Sequence, residues 1–299
     1  MYENYQRIYV FLSHLTFKLY VSILKLITGL RHSNTYFTSL KTHCHLLRNN
    51  PPRELVVYSK NNMKTILHKA SSRGHFDHGW LNTSHTFSFA DYYDPERINF
   101  GSLRVLNDDK IAGGTGFGTH SHHNMEIVSI PLSGDLEHKD SLGHTSVIAQ
   151  GEIQVMSAGS GIRHSEYNRN KDKAAEFLQI WVIPDRENVE PRYENAKIAD
   201  LIKKNEISEI VSPYPGNGKD LWIYQHTWFS IGELDKGIKQ HYSFKSQRSF
   251  GVYIFVIEGS IEVGGEQLAR RDGIGIYDTL GFDITIREDS KILVIEVAR

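Results

Sequence analysis

Residues 127–140 read IVSIPLSGDLEHKD, which is an apolar run, a Ser-Gly-Asp turn signal and a second run with charged residues. IAQGEIQVM follows at 148–156, and the same order of strand, glycine turn and strand returns in YIFVIEGSIEVGGEQLARRDGIGIY at 253–277. Short strand-like runs between turn signals are typical of β-sandwiches and barrels. Because both halves of the chain carry the pattern, the sequence predicts a duplicated small barrel.

A polar segment divides the two strand-rich regions. DRENVEPRYENAKIADLIKKNEISEIVSPYPGNGKD, residues 185–220, is charged and contains several prolines. We therefore expect a first barrel at 63–184, a linker at 185–220 and a second barrel at 221–299.

The first 62 residues differ from the rest. Residues 8–30, IYVFLSHLTFKLYVSILKLITGL, are long enough to span a bilayer. A lysine near the centre of a span costs about 2.5–3.5 kcal/mol, however, and His14, Lys18 and Lys25 would share one helical face. An interfacial helix is the better reading, and only such a helix would bring the protein to a membrane. The sequence from Met63 onward reads like the beginning of a natural protein. We therefore expect 1–62 to be a helical or poorly structured extension that results from a wrongly assigned start codon.

Composition narrows the class of protein. The chain has 299 residues, of which 39% are hydrophobic and 23% charged, so it can form a sizeable core. Its formal net charge of −1 and its lack of a basic block argue against direct nucleic-acid binding. Cys44 is the one cysteine, so no intrachain disulfide can form and we expect a cytoplasmic protein.

Two histidine-containing pairs carry the chemistry. The segment 118–126, GTHSHHNME, contains His120 and His122, and GIRHSEYN at 161–168 contains His164 and Glu166. Residues i and i+2 of a strand share a face, so two such pairs on neighbouring strands would bring four ligands to one point. An exposed histidine-rich loop and a set of buried, hydrogen-bonded histidines are the competing interpretations.

Three neutral imidazoles and one carboxylate suit Fe(II), with Mn, Co, Ni, Cu and Zn as alternatives. Four protein ligands leave open positions on an octahedral ion, which indicates catalysis or ligand binding. His123 is out of phase with its neighbours and should point away. Glu126 is in phase if the strand is regular, which would make it a fifth ligand or a group that orients a ligand histidine.

These residues resemble the two cupin motifs. The first is Gly114-x5-His120-x-His122-x3-Glu126; the second is Gly151-x5-Ser157-x-Gly159, followed by His164-x3-Asn168. The second motif has extra residues before its histidine, and Ser157 stands where cupins usually have proline. The longer stretches GHFDHGWLNTSHTFSFADYYDP, FGSLRVLNDDKIAGGTGFGTHSHHNMEIVSI, DSLGHTSVIAQGEIQVMSAGSGIRHSEYN and QIWVIP resemble the pirin family, of the bacterial quercetin 2,3-dioxygenase-like type. The resemblance covers 63–299.

The resemblance implies an all-β bicupin, in which two antiparallel barrels of the jelly-roll type pack together. It also implies one Fe(II)-type metal in the N-terminal barrel, bound by His120, His122, His164 and Glu166, with Glu126 beside the ligands. The C-terminal barrel has no H-x-H pair, so we expect it to be metal-free and His241 to be structural.

The function that the resemblance favours is a metal-dependent dioxygenase that opens a flavonol such as quercetin with O2. Glu166 or Glu126 would accept the hydroxyl proton, and Phe117 and Phe87 are candidates for an aromatic pocket. The alternatives are a non-catalytic regulatory or redox-sensing protein that binds a protein partner, and a metal-dependent isomerase or other cupin enzyme. The ligand set is the same in each, so the sequence does not choose among them.

Overall fold

The computed structural model describes residues 63–216 and 221–299. The predictions for 1–62, for the helix at 8–30 and for Cys44 lie outside these residues. Within the described ranges, no helix is both long enough and apolar enough to cross a membrane.

The prediction of an all-β fold is confirmed. The described residues contain no α-helix, and Ala70–Ser72 form a short 3₁₀ helix. The strands are β1 (Lys64–His68), β2 (Gly74–Asp77), β3 (Leu81–His85), β4 (Leu103–Ile111), β5 (Gly116–His122), β6 (Glu126–Ser133), β7 (Leu136–Asp140), β8 (Thr145–Ile148), β9 (Glu152–Ser157), β10 (Ile162–Asn168), β11 (Ala175–Val182), β12 (Arg192–Lys197), β13 (Ile207–Pro213), β14 (Leu221–Ile223), β15 (Trp228–Leu234), β16 (Lys239–Ser243), β17 (Ser249–Glu258), β18 (Ile261–Val263), β19 (Glu266–Leu268), β20 (Gly273–Tyr277), β21 (Gly281–Ile286) and β22 (Ser290–Ala298).

Each half is built from one large and one small sheet. The N-terminal half has a seven-stranded sheet in the order β12-β9-β6-β11-β4-β3-β2 and a four-stranded sheet in the order β5-β10-β7-β8. The C-terminal half has a seven-stranded sheet, β1-β20-β17-β22-β15-β13-β14, and a four-stranded sheet, β16-β21-β18-β19. Buried residues of the large and small sheets pack together inside each half.

The two large sheets also share a core with each other. Val128 and Ile130 of β6 lie in one buried cluster with Tyr253 and Phe255 of β17. The alternate residues of the same strands face the small sheets; Ile254, for example, belongs to the interior of the C-terminal half. Strands buried on both faces are apolar without interruption, which explains runs such as YIFVI.

The sheets do not follow the expected domain limits. β1 pairs with β20 in the C-terminal sheet, and the interval expected as a linker carries β12 and β13, one in each large sheet. The division at 62, 184 and 220 stays a prediction.

Candidate metal centre

Three expected ligands converge between β5 and β10. These strands pair antiparallel, with His164 opposite His120 and Ile162 opposite His122. The ring centroids of His120 and His164 lie 4.4 Å apart, and those of His122 lie 4.8 Å from each of the other two. One nitrogen from each ring lies within 4.8 Å of the others, a spacing that could hold one metal ion.

The imidazoles of His122 and His164 are suited to metal binding because burial keeps them neutral. Burial, and then the neighbouring His164, lower the pKa of His122 to about 4. Burial, and then His120, lower the pKa of His164 to about 3. A metal ligand needs an unprotonated nitrogen, so neither ring has to lose a proton at neutral pH.

In His120 and His164, the Nε2 atom of the ring is free to bind a metal. His120 Nδ1 lies 2.8 Å from the carbonyl oxygen of Gly118, so it donates there and leaves Nε2 as the acceptor. His164 Nε2 is buried and has no hydrogen-bond partner. Buried polar atoms are nearly always paired, so an unpartnered nitrogen beside two other imidazoles fits a metal ligand.

Glu166 lies beside this cluster but in a second group. Its carboxylate groups with His138 and His164 within 4.8 Å, and not with His120 and His122. A register shift between His164 and Glu166 places Glu166 opposite Phe117. Glu166 is 1% exposed. A buried carboxylate is costly without a positive charge nearby, and a divalent cation at the histidines would supply one.

Neutral groups hold the Glu166 carboxylate in place. Gln179 Nε2 donates to Oε2 at 2.7 Å, Gln154 Nε2 donates to Oε1 at 3.3 Å, and Ser129 Oγ lies 3.2 Å from Oε1. Register aligns Gln154, Ser129 and Gln179 in one row across β9, β6 and β11. This row of polar residues was not predicted from the sequence. Its signal is a single polar residue inside each of the apolar runs EIQVM, IVSIPL and FLQIWV.

His138 of β7 is a second residue near the cluster that was not predicted from the sequence. His138 is fully buried, and its Nδ1 lies 3.4 Å from His164 Nδ1. Its ring stacks on that of Tyr193 with centroids 4.2 Å apart. The inward alternation of Leu136, His138 and Asp140 was the available signal, since it repeats with the period of two that marks one strand face.

Glu126 lies at the start of β6, in the large sheet. Asn124 has a φ of 47°, so the chain turns between β5 and β6 and the regular strand that the phase argument required is interrupted. Ser157 Oγ donates to Glu126 Oε2 at 2.7 Å, and burial raises the pKa of Glu126 to about 7. Glu126 belongs to neither ligand group of the described residues.

A cavity of about 480 Å³ lies against the cluster. It is lined by Ser121, His122, His123, Ser141, Gly161, Ile162 and Arg163. His123 therefore lines the cavity and is in neither ligand group. Phe117 packs on Trp80, with ring centroids 5.3 Å apart, and Phe87 lies in the core shared by the two large sheets.

The fold and the site define an all-β bicupin whose N-terminal half carries a histidine and glutamate cluster fit for a divalent metal. The family model described as Pirin matches residues 66–182, and the model described as the quercetinase C-terminal cupin domain matches 209–297. A protein named quercetin 2,3-dioxygenase from Escherichia coli (strain K12) is 39% identical over 231 residues, which cover 77% of this chain and 97% of that protein. The chain belongs to the pirin family.

Two further relatives agree with this assignment. A pirin-like protein from Caulobacter vibrioides is 37% identical over 225 residues, which are 75% of this chain and 96% of that protein. The crystal structure of the bacterial pirin YhhW from Escherichia coli in complex with nickel(II) has 38% sequence identity and a TM-score of 0.73, and covers 79% of this chain and 99% of that one.

Proposed function

We propose that this pirin is a metal-dependent dioxygenase of the quercetin 2,3-dioxygenase type, which opens a flavonol or a similar aromatic substrate with O2. The observation that carries the proposal is the convergence of three histidines, with His164 Nε2 buried and unpartnered and His122 lining an adjacent cavity. The relative from Escherichia coli named quercetin 2,3-dioxygenase supports this chemistry.

We assign His120, His122, His164 and Glu166 as the metal ligands. Fe(II) is the metal we favour, and Mn, Co, Ni, Cu and Zn suit the same donors. A bound divalent metal would supply a Lewis acid that lowers the pKa of a substrate hydroxyl.

The residues around the metal position have separate tasks in this proposal. His122, Ile162 and Arg163 line the cavity in which the planar substrate would lie. Trp181 packs edge-on against His122, with ring centroids 4.9 Å apart, and so limits rotation of that ligand ring. Water is kept from Glu166 and His164, since each is 1% exposed.

A carboxylate must accept the proton of the substrate hydroxyl. We assign this task to Glu166, because it shares a ligand group with His164. Glu126 is the alternative, since its pKa of about 7 suits a base at neutral pH. However, its partner is Ser157 and not a histidine of the cluster.

Oxygen consumption tests the proposal. The full-length protein, reconstituted with Fe(II) without air, should consume O2 and bleach the flavonol absorbance when quercetin is added. His164→Ala should abolish both, while His241→Ala, an exposed histidine of the other half, should leave both unchanged. Full metal occupancy with no uptake would contradict the enzyme proposal and support the regulatory alternative, in which the metal shapes a surface for a protein partner.

A further inference from the structure

A line of hydrogen bonds leads away from the metal cluster on the side opposite His164 Nε2. His164 Nδ1 lies 3.4 Å from His138 Nδ1, and His138 Nε2 lies 3.1 Å from Asp140 Oδ2. The side chains of His138 and Asp140 are fully buried. None of the ligand assignments above uses either residue.

Asp140 is fixed as an acceptor at the outer end. Its Oδ1 accepts the backbone N–H groups of Leu142 at 2.9 Å and His144 at 3.1 Å. Its Oδ2 therefore faces both His138 Nε2 and His144 Nδ1, the latter at 2.8 Å. An ionised carboxylate only accepts hydrogen bonds, so His138 must carry its proton on Nε2.

The remaining protons follow from this. An imidazole with one proton on Nε2 offers Nδ1 as an acceptor. His164 Nδ1 must then be the donor, and the lone pair of His164 lies on Nε2, the buried atom without a partner. The ring of Tyr193 stacks on that of His138 and holds the His138 ring in the orientation that these hydrogen bonds require.

We propose that Asp140 and His138 are positioning residues, which hold His164 in the tautomer protonated on Nδ1 and so prepare Nε2 to bind the metal. The inference rests on the proposed metal site. His120 obtains the same tautomer from the carbonyl of Gly118, a local backbone acceptor. His164 lies inside a ladder with strands on both sides, and a side chain from β7 supplies its acceptor.

Asp140→Asn is the sharpest test, because it changes polarity at nearly constant shape. The two backbone N–H groups hold the oxygen of the new amide at the Oδ1 position, so an NH2 group faces His138 Nε2. The amide would then donate to His138 Nε2, and His138 would donate from Nδ1 to His164 Nδ1. His164 would therefore carry its own proton on Nε2. We expect Co(II) affinity to fall about 10–100-fold. His138→Phe, which keeps a ring against Tyr193 and removes the acceptor, should give a similar loss.

The measurements are Co(II) affinity by competition with a chelator and the His164 tautomer by ¹⁵N NMR of the metal-free, full-length protein. His144→Gln is the matched control: it removes the other imidazole on Asp140 Oδ2 and should change affinity less than twofold. Unchanged affinity in Asp140→Asn, or a wild-type His164 protonated on Nε2, would overturn the proposal. Equal Co(II) binding by wild type and His164→Ala would instead refute the metal site, and the metal-free tautomer would still decide the positioning role.

Discussion

The N-terminal and C-terminal halves have sheets of the same size, and their small sheets and the central strands of their large sheets follow the same order, yet their interiors differ. The small sheets run β5-β10-β7-β8 and β16-β21-β18-β19, so that β5 corresponds to β16 and β10 to β21. In the large sheets, β9-β6-β11 corresponds to β20-β17-β22. The same backbone arrangement thus offers the same central position twice.

One row of residues shows what differs. In the N-terminal half, Gln154, Ser129 and Gln179 form the row across the central strands and hold Glu166. In the C-terminal half, the equivalent row is Ile274, Ile254 and Val294, all fully buried in an apolar cluster. Side chains, and not the backbone arrangement, distinguish the polar row of the N-terminal half from the apolar row of the C-terminal half.

The largest effect should come from removing a ligand. His122→Ala should abolish stoichiometric metal binding. This is a larger loss than the roughly 100-fold fall in metal affinity expected for residues that only hydrogen-bond to a ligand. Metal content after dialysis, measured by mass spectrometry, checks this. His241→Ala in β16 is the control and should retain full occupancy. Stoichiometric metal in His122→Ala would mean that this ligand is wrongly assigned.

The aliphatic row should matter for stability alone. Ile254→Ala should lower the free energy of unfolding by about 2–5 kcal/mol, because it leaves a cavity in a packed interior. Metal bound per folded molecule should stay the same. Urea unfolding and metal analysis of the same sample test both parts, and a drop in occupancy would show that the two interiors are coupled.

Acid should weaken the contact that ties β1 to the C-terminal sheet. His68 Nδ1 lies 2.8 Å from the Tyr253 hydroxyl, and burial, followed by Arg97, lowers the pKa of His68 to about 4. The unfolded chain binds this proton below about pH 6.5 and the folded chain only near pH 4, so stability falls as the pH drops through that window. His68→Gln should reduce the fall by on the order of 3 kcal/mol.

Urea unfolding at several pH values measures the acid effect. The exposed His75 provides the control, and His75→Gln should follow the wild-type curve. Parallel curves for wild type and His68→Gln would contradict the buried, neutral state of His68.

The polar row should tune metal affinity without creating or destroying the site. Gln179→Leu removes the donor to Glu166 Oε2 and should weaken metal binding about 10–100-fold. Gln240→Leu, which loses a bond to the Asn205 carbonyl in the C-terminal half, should have no effect on affinity. Competition with a chelator measures the metal affinity of both variants. If Gln179→Leu bound metal as tightly as the wild type, the polar row would not contribute to metal binding.

The smallest effect on metal should come from Glu126. Glu126→Gln preserves an acceptor for Ser157 and should retain most of the metal, while lowering turnover if the carboxylate accepts a proton. Metal analysis beside oxygen consumption separates these roles. Complete loss of metal would make Glu126 a ligand.

Alternation and turn signals predicted the all-β fold, because burial on one or two faces leaves a visible pattern. The H-x-H and H-x-E spacings likewise predicted that His120, His122 and His164 converge. Sequence did not place Glu126, because a single positive φ at Asn124 separates it from β5. Nor did it find His138 or the polar row, whose importance depends on register between strands distant in the chain.

The pairing of β1 with β20 in the C-terminal sheet has a consequence for protein synthesis. Lys64 is made early but pairs with Tyr277, near the end of the chain. When β20 leaves the ribosome, its partner strand β1 has already been synthesised. β1 itself stays unpaired until almost the whole protein has been translated. Pairing across such a sequence separation is slow and leaves an edge strand open to other chains. A C-terminal half produced from residue 207 onward would keep β13 but lack β1 and expose β20, so it should aggregate where the whole chain does not.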